Sequence, residues 1–262
     1  MYKFGFIGCG NMGGTLALAV AKSEKSLAVS DANSQAAAKI SEKTGAAVLG
    51  NLEIAEQCQY IVMGVKPQVL PFVLAEIAPV LSQRKDEFTL ISMVAGKSII
   101  DIEKMIGVAP IIRIMPNTPA AAGEGIILYS VGGAASPAAE AGFLQGFAAA
   151  GRIVPIAEAF IDAASAISGC GPAFVYMFIE ALADGGVQCG LPRALAQELA
   201  AGTLAGAARM VLESGAHPGE LKDAVCSPGG STIEGVAALE SGAFRATTAK
   251  AVKAAYERTK QL

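Results

Sequence analysis

The 262 residues carry 20 Lys and Arg against 23 Asp and Glu, a net charge of −3, with one histidine, five cysteines and no tryptophan. With no basic cluster, nucleic acid is not an expected partner, and a lone histidine leaves neither a His-based triad nor a multi-histidine metal site, so no metal is expected. The chain is 53% hydrophobic, but much of that is alanine and its nearest approach to a membrane span, 163–179, is interrupted at 169–172, so no membrane partner is expected.

Met1 leads directly into a strand pattern, which leaves no room for a secretory leader. Cys9, Cys58, Cys170, Cys189 and Cys226 are odd in number and form no C-x-x-C pair. They fit reduced thiols in a cytoplasm.

The stretch 3–14, KFGFIGCGNMGG, organises the first half. Phe4, Phe6 and Ile7 read as a buried strand, Gly8, Gly10 and Gly13 give G-x-G-x-x-G, and 15–21 continues with helical spacing. Gly8 permits a tight turn, Gly10 leaves room for a pyrophosphate, and Gly13 lets the helix approach the strand. The free amides at the start of the helix would face the phosphates. A second strand, 27–30, ends at Asp31, where a Rossmann fold places the group that reads the adenosine ribose. A carboxylate there accepts from the 2′-hydroxyl of NAD and repels the 2′-phosphate of NADP. Ser30, Asn33, Ser34 and Asn51 are neutral donors that could hold a phosphate, and Asp31 could equally be a turn or cap residue.

A helix over 32–43 and a strand over 45–48 follow, then an apolar strand at 60–65 that ends in Lys66-Pro67. Ligands gather at the carboxyl ends of strands, so Val65, Lys66 and Pro67 are expected in the cofactor groove. Lys66 would meet phosphate there or remain solvated. The strand at 88–93 runs into Val94-Ala95-Gly96, small enough for close approach of the nicotinamide ribose. The strand at 111–115 runs into Asn117 between two prolines, on a stiff loop where it can offer both an amide donor and a carbonyl acceptor and is expected among the cofactor-binding residues. Strands at 125–131 and 152–156 flank a helix at 137–150. The alternation predicts an α/β, Rossmann-type, mostly parallel doubly wound sheet to about residue 156, and hence a dinucleotide-binding domain over 1–157.

Beyond it the strand patterns stop. Helices are expected at 174–187, 192–212, 218–225, from 231, and at 244–260, an all-α domain over 158–262. Gly202 and Gly206 suggest close packing on a helix that also carries charges. So few large side chains predict a core completed by a second copy, a homodimer at least. The segment 217–235, HPGELKDAVCSPGGSTIEG, turns at 227–230 and opens a helix at Ser231-Thr232. Amides of Gly230, Ser231 and Thr232 could cradle a substrate carboxylate, or Ser231 and Thr232 could be ordinary caps. His217 reads as a helix-start residue.

These residues resemble the pyrroline-5-carboxylate reductase family, through FGFIGCGNMGG, GVKP at 64–67, RIMPNTPA at 113–120, SGCGPAFVYMFIEALADGGVQCGLPR at 168–193 and the 217–235 segment. The resemblance covers essentially the whole chain. It implies a Rossmann domain followed by a helical dimerisation domain, with dimers assembling into larger rings. It implies hydride transfer from NADP(H), with NAD(H) left open by Asp31, to 1-pyrroline-5-carboxylate, giving L-proline.

The resemblance assigns Gly230, Ser231 and Thr232 to the substrate carboxylate and ring and places Glu158 near the substrate. The mechanism expected from this has the turn from Gly229 to Thr232 anchor the carboxylate, Thr232 bond the ring nitrogen and Glu158 offset iminium charge. It assigns the cofactor to Ile7, Gly8, Cys9, Gly10, Asn11 and Met12, to Asn51, to Val65 and Lys66, and to Ala95 and Gly96, beside Gly13 of the glycine pattern. Two departures stand out: Cys170 where the family has serine, and Asp31 where many relatives are neutral or basic. A β-hydroxyacid dehydrogenase shares the two-part layout, but it needs a lysine on the first long helix of its second domain, and 174–187 has none. A non-catalytic dinucleotide sensor is the other alternative.

Overall fold

The computed structural model describes residues 1–260. Eight strands, β1 (Tyr2–Ile7), β2 (Leu27–Ser30), β3 (Ala47–Val48), β4 (Cys58–Met63), β5 (Thr89–Ser92), β6 (Ile111–Met115), β7 (Gly125–Val131) and β8 (Gly151–Pro155), form one sheet. Their order is β3-β2-β1-β4-β5-β6-β7-β8. The chain winds outward from β1 in one direction and then returns to pass it in the other, so β1 and β4 flank the switch point of a doubly wound sheet.

The strands alternate by the period of two that a doubly covered sheet demands. Phe4, Phe6, Tyr60 and Val62 pack on one face against α1 (Asn11–Val20) and α6 (Pro137–Phe147). Ile7, Ile61 and Met63 pack on the other against α3 (Asn51–Gln57) and α4 (Leu70–Gln83). Phe4 stacks on Tyr60 with ring centroids 4.8 Å apart and meets Phe147 edge-on at 5.8 Å. Each such fully buried side chain contributes about 1.5–3 kcal/mol. The Tyr60 hydroxyl, buried by this packing, donates to the Ala139 carbonyl at 3.1 Å, so α6 docks without leaving a polar orphan.

One strand makes the sheet mostly rather than wholly parallel. β7 runs antiparallel to β6, Ile112 opposite Val131 and Met115 opposite Leu128. Only a short connection containing a 3₁₀ turn, Thr118–Ala122, joins them. A parallel return needs a crossover of a dozen residues or more, so the short link forces a reversal. The crossover through α6 then makes β8 parallel to β7.

The remaining helices of this half are α2 (Ser34–Thr44), α5 (Ile99–Ile106) and α7 (Ile161–Ser168). The strands end where the texture of the sequence changes, but the compact unit built on them runs from Met1 to Cys170 and takes in the chain from Ala255. It extends past residue 157 because Ile161 on α7 is fully buried with Met115 and Leu128.

The second unit, Gly171–Ala254, is helical. It comprises α8 (Gly171–Gln188), α9 (Arg193–Ser214), α10 (Pro218–Ala224), α11 (Ser231–Ser241) and the greater part of α12 (Phe244–Thr259). Its buried hydrophobic residues are Ala183, Ala196 and Ala200, packed where α8 meets α9. A Cβ added at Gly202 or Gly206 would meet nothing within 4 Å, so the close packing expected there is not made within one chain. By length and composition alone, one helical run among the described residues, Glu158–Gln188, could cross a membrane. A turn at Gly169-Cys170 divides it into α7 and α8, at the break seen in the sequence.

Candidate active site

The glycine-rich turn between β1 and α1 is built from backbone in contact with backbone. Gly8 has φ +101°, and a Cβ there would lie 2.6 Å from the Gly64 carbonyl. A Cβ at Gly13 would lie 2.0 Å from the Gly8 oxygen. Both positions therefore require glycine, as the spacing predicted. A Cβ at Gly10 would meet nothing within 4 Å. Gly10 is the N-cap of α1, with no side chain capping the helix, so the first-turn amides open onto free space. An anionic group fits this cradle.

The cradle borders a cleft of about 280 Å³ at the switch point. Ile7, Gly8, Gly10 and Asp31 line it from one side, and Asn51, Val65 and Lys66 complete it. Seven of the residues expected to hold the cofactor thus converge from four separate segments. Gly64 also lines this cleft and was not anticipated; its amide donates to the Ile7 carbonyl at 2.8 Å. A glycine directly after a buried strand was the available signal.

Other expected cofactor residues are placed differently. Asn11 and Met12 open α1, and Cys9 is buried beneath the turn. The Cys9 thiol donates to the Ser30 carbonyl, and burial, helped by the Asp31 carboxylate, pushes its pKa up to about 11. It is a protonated packing group. Ala95 and Gly96, with φ +69° at Gly96, follow β5 in the short loop before α5. Pro67 lies in the turn before α4.

Asp31 braces the cradle. One carboxylate oxygen accepts from the Cys9 amide at 2.6 Å and the other from the Asn33 amide at 2.8 Å. It serves as a turn residue, as the sequence allowed, and it also lines the cleft. The Asn51 side chain accepts from the Ser30 hydroxyl at 2.8 Å and donates to Glu76 at 2.8 Å, so its polar groups are already engaged.

Asn117 requires correction, and Glu158 has partners that the sequence did not show. Asn117 is buried; its amide donates to the Ser168 carbonyl and its oxygen accepts from the Ile126 amide, both at 2.8 Å. Its side chain ties β7 and α7 together and offers the cofactor nothing. Glu158 Oε1 accepts from the Ile99 amide at 2.7 Å and lies 3.3 Å from Arg113 Nη1. Its charge is shared with Arg113 inside the sheet unit rather than standing alone.

In the helical unit, Gly229 takes φ +66° and Gly230 is the N-cap of α11 without a side-chain cap. The Gly230 amide donates back to the Ser227 carbonyl at 3.0 Å. That corrects the three-amide cradle, because this turn consumes one of the three donors. Ser231 and Thr232 open α11 and are exposed. His217 is the N-cap of α10, its Nδ1 accepting from the Gly219 amide at 3.0 Å. Among the described residues, no cluster of three or more His, Cys, Asp and Glu could hold a metal.

A doubly wound sheet with an open amide cradle at its switch point defines a Rossmann-type, dinucleotide-binding protein. A family profile described as NADP oxidoreductase coenzyme F420-dependent matches residues 3–96, and one described as pyrroline-5-carboxylate reductase dimerisation matches 158–262. The pyrroline-5-carboxylate reductase of Glycine max is 40% identical over 266 residues, covering 100% of this chain and 96% of that protein. That of Pisum sativum is 42% identical over 265 residues, with the same coverage. The crystal structure of Plasmodium falciparum pyrroline carboxylate reductase with NADP bound superposes with a TM-score of 0.88 at 37% identity, covering 99% of this chain and 97% of that one. A pyrroline-5-carboxylate reductase structure from Coxiella burnetii gives 0.89 at 30% identity, covering 99% and 98%. The chain belongs to the pyrroline-5-carboxylate reductase family.

Proposed function

We propose that this chain reduces 1-pyrroline-5-carboxylate to L-proline, using NADP(H) and accepting NAD(H). The observation that carries the reading is the full-length identity to pyrroline-5-carboxylate reductases, present together with an intact glycine cradle at the switch point. The dinucleotide supplies the hydride; the chain supplies position. The amides that open α1 hold the pyrophosphate, and Lys66 on the cleft wall lies where it can neutralise phosphate charge.

The turn at Gly229 and Gly230 with Ser231 anchors the substrate carboxylate, and Thr232 hydrogen-bonds the ring nitrogen. Protonating that nitrogen makes the imine carbon a better hydride acceptor, and an iminium can form in solution. No strong acid from the protein is therefore obligatory, and catalysis rests on orientation and electrostatics. The chain acts as a homodimer, with a ring of dimers as the larger assembly, in the cytoplasm.

Loss of NADPH absorbance on adding pyrroline-5-carboxylate, repeated with NADH, tests this. Rapid oxidation that depends on the imine is expected. A chain that binds the dinucleotide and oxidises neither form would overturn the reaction and leave the fold untouched.

A further inference from the structure

We propose that Glu158 is a positioning residue, which with Arg113 fixes the loop between β5 and α5 that faces the nicotinamide half of the cofactor. The inference rests on reading the cleft as a dinucleotide site.

Arg113 is buried in the middle of β6, opposite Ser92, the last residue of β5. Its two terminal nitrogens reach different carboxylates: Nη1 meets Glu158 at 3.3 Å and Nη2 meets Asp162 on α7 at 3.0 Å. Its Nε is buried without a partner, so these two carboxylates alone orient the guanidinium.

The same Glu158 oxygen that meets Arg113 accepts from the amide of Ile99, the first residue of α5. The start of α5 already has a local capping box, in which Ser98 and Asp101 satisfy each other's amides. That box settles the helix itself and says nothing about where the helix lies on the sheet. The bond from Glu158, 59 residues away in sequence, does that. It pins α5 to an arginine seated in the sheet, at the level where β5 ends. Val94 is buried and Gly96 sits in the left-handed region, so 94–98 is a short, tightly turned connection between two fixed ends. Strands on this side of the switch point carry the nicotinamide half of a dinucleotide. Moving one end of the loop moves the surface that half would rest on.

Reach and charge can be separated by two mild variants. Glu158→Gln keeps the length and a carbonyl oxygen that accepts from Ile99, but loses the charge. Glu158→Asp keeps the charge but withdraws the oxygen by one methylene. NADPH binding, followed by its fluorescence and by calorimetry, is expected to weaken about 10-fold in Glu158→Asp and to stay within about 3-fold of the parent in Glu158→Gln, the scale of one lost charge-assisted hydrogen bond. The pH profile of kcat should be unmoved in Glu158→Gln. The reverse ranking, or a large loss of kcat in Glu158→Gln at unchanged NADPH affinity, would overturn the proposal and return Glu158 to the substrate as a charge. A parent chain that binds NADPH yet leaves the imine unreduced would contradict the proposed reaction instead, and the ranking of the two variants would still decide this one.

Discussion

The two units bury their apolar side chains in opposite ways. In the sheet unit Phe4, Phe6, Tyr60, Phe143 and Phe147 are all at most 1% exposed. In the helical unit several large apolar side chains face outward: Tyr176 is 58% exposed, Met177 69% and Leu212 68%. An apolar groove of about 490 Å³, walled in part by Phe174, Met177, Phe178 and Phe244, runs along that unit. The sheet unit closes its own core, whereas the helical unit leaves half of one for a second copy to close. That is why the same chain reads as a self-sufficient Rossmann domain and as a homo-oligomer.

The sharpest way to break the first half of this contrast is Gly13→Val. The added carbons would enter the space held by the Gly8 carbonyl, so the cradle must deform. Overpacking of this kind costs about 1–3 kcal/mol or more, and NADP⁺ binding should weaken by well over about 100-fold. Calorimetric titration against a thermal melt of the same sample separates lost binding from lost fold.

Met177→Glu tests the other half. The side chain is exposed in one chain, so the fold should survive. Burying an unpaired carboxylate in a subunit contact should raise the dissociation constant of the dimer by more than about 100-fold. Sedimentation equilibrium reads this directly, and NADP⁺ affinity should stay within about 3-fold, because the cradle lies in the other unit. An unchanged mass would mean that the groove is not the contact.

Much of this was legible in the chain because it is local. G-x-G-x-x-G, the strand period of two and the prolines and glycines at helix ends act over a few residues. Even the uncapped turn before α11 could be read that way. The partners of Asn117 and Glu158 were hidden because what holds them is remote: Ser168 lies 51 residues beyond Asn117, and Ile99 lies 59 before Glu158. A polar residue between two prolines looks free until the fold brings a carbonyl and an amide to it. The reversal of β7 was hidden for a related reason, since a strand pattern carries no direction and only the length of the link decides it.

A smaller effect is expected from Thr232→Ala. Losing one well-placed hydrogen bond to the transition state should lower kcat about 10- to 100-fold, with the oligomer and NADPH affinity unchanged. Steady-state kinetics at saturating NADPH measures it, and full activity would remove Thr232 from the mechanism.

The smallest effect belongs to the sheet unit alone. The Arg84 side chain is buried, donates to the Ala55 and Cys58 carbonyls, and pairs with Asp86 at 2.5 Å. The hydrogen bond from Arg84 holds the Asp86 carboxyl below its usual pKa. A group depressed on folding stabilises above its unfolded pKa, and that contribution is lost as pH falls through the lower folded value. Asp86 is exposed enough for solvent to screen the pair. Between pH 7 and pH 3 the parent should therefore lose only about 2 °C more in melting temperature than Asp86→Asn.

The most direct test of the whole account is the stoichiometry of the reaction, with NADPH consumed and L-proline formed measured in one incubation with pyrroline-5-carboxylate. One mole of L-proline per mole of NADPH is the predicted result. NADPH bound in the cleft with no proline formed would contradict it.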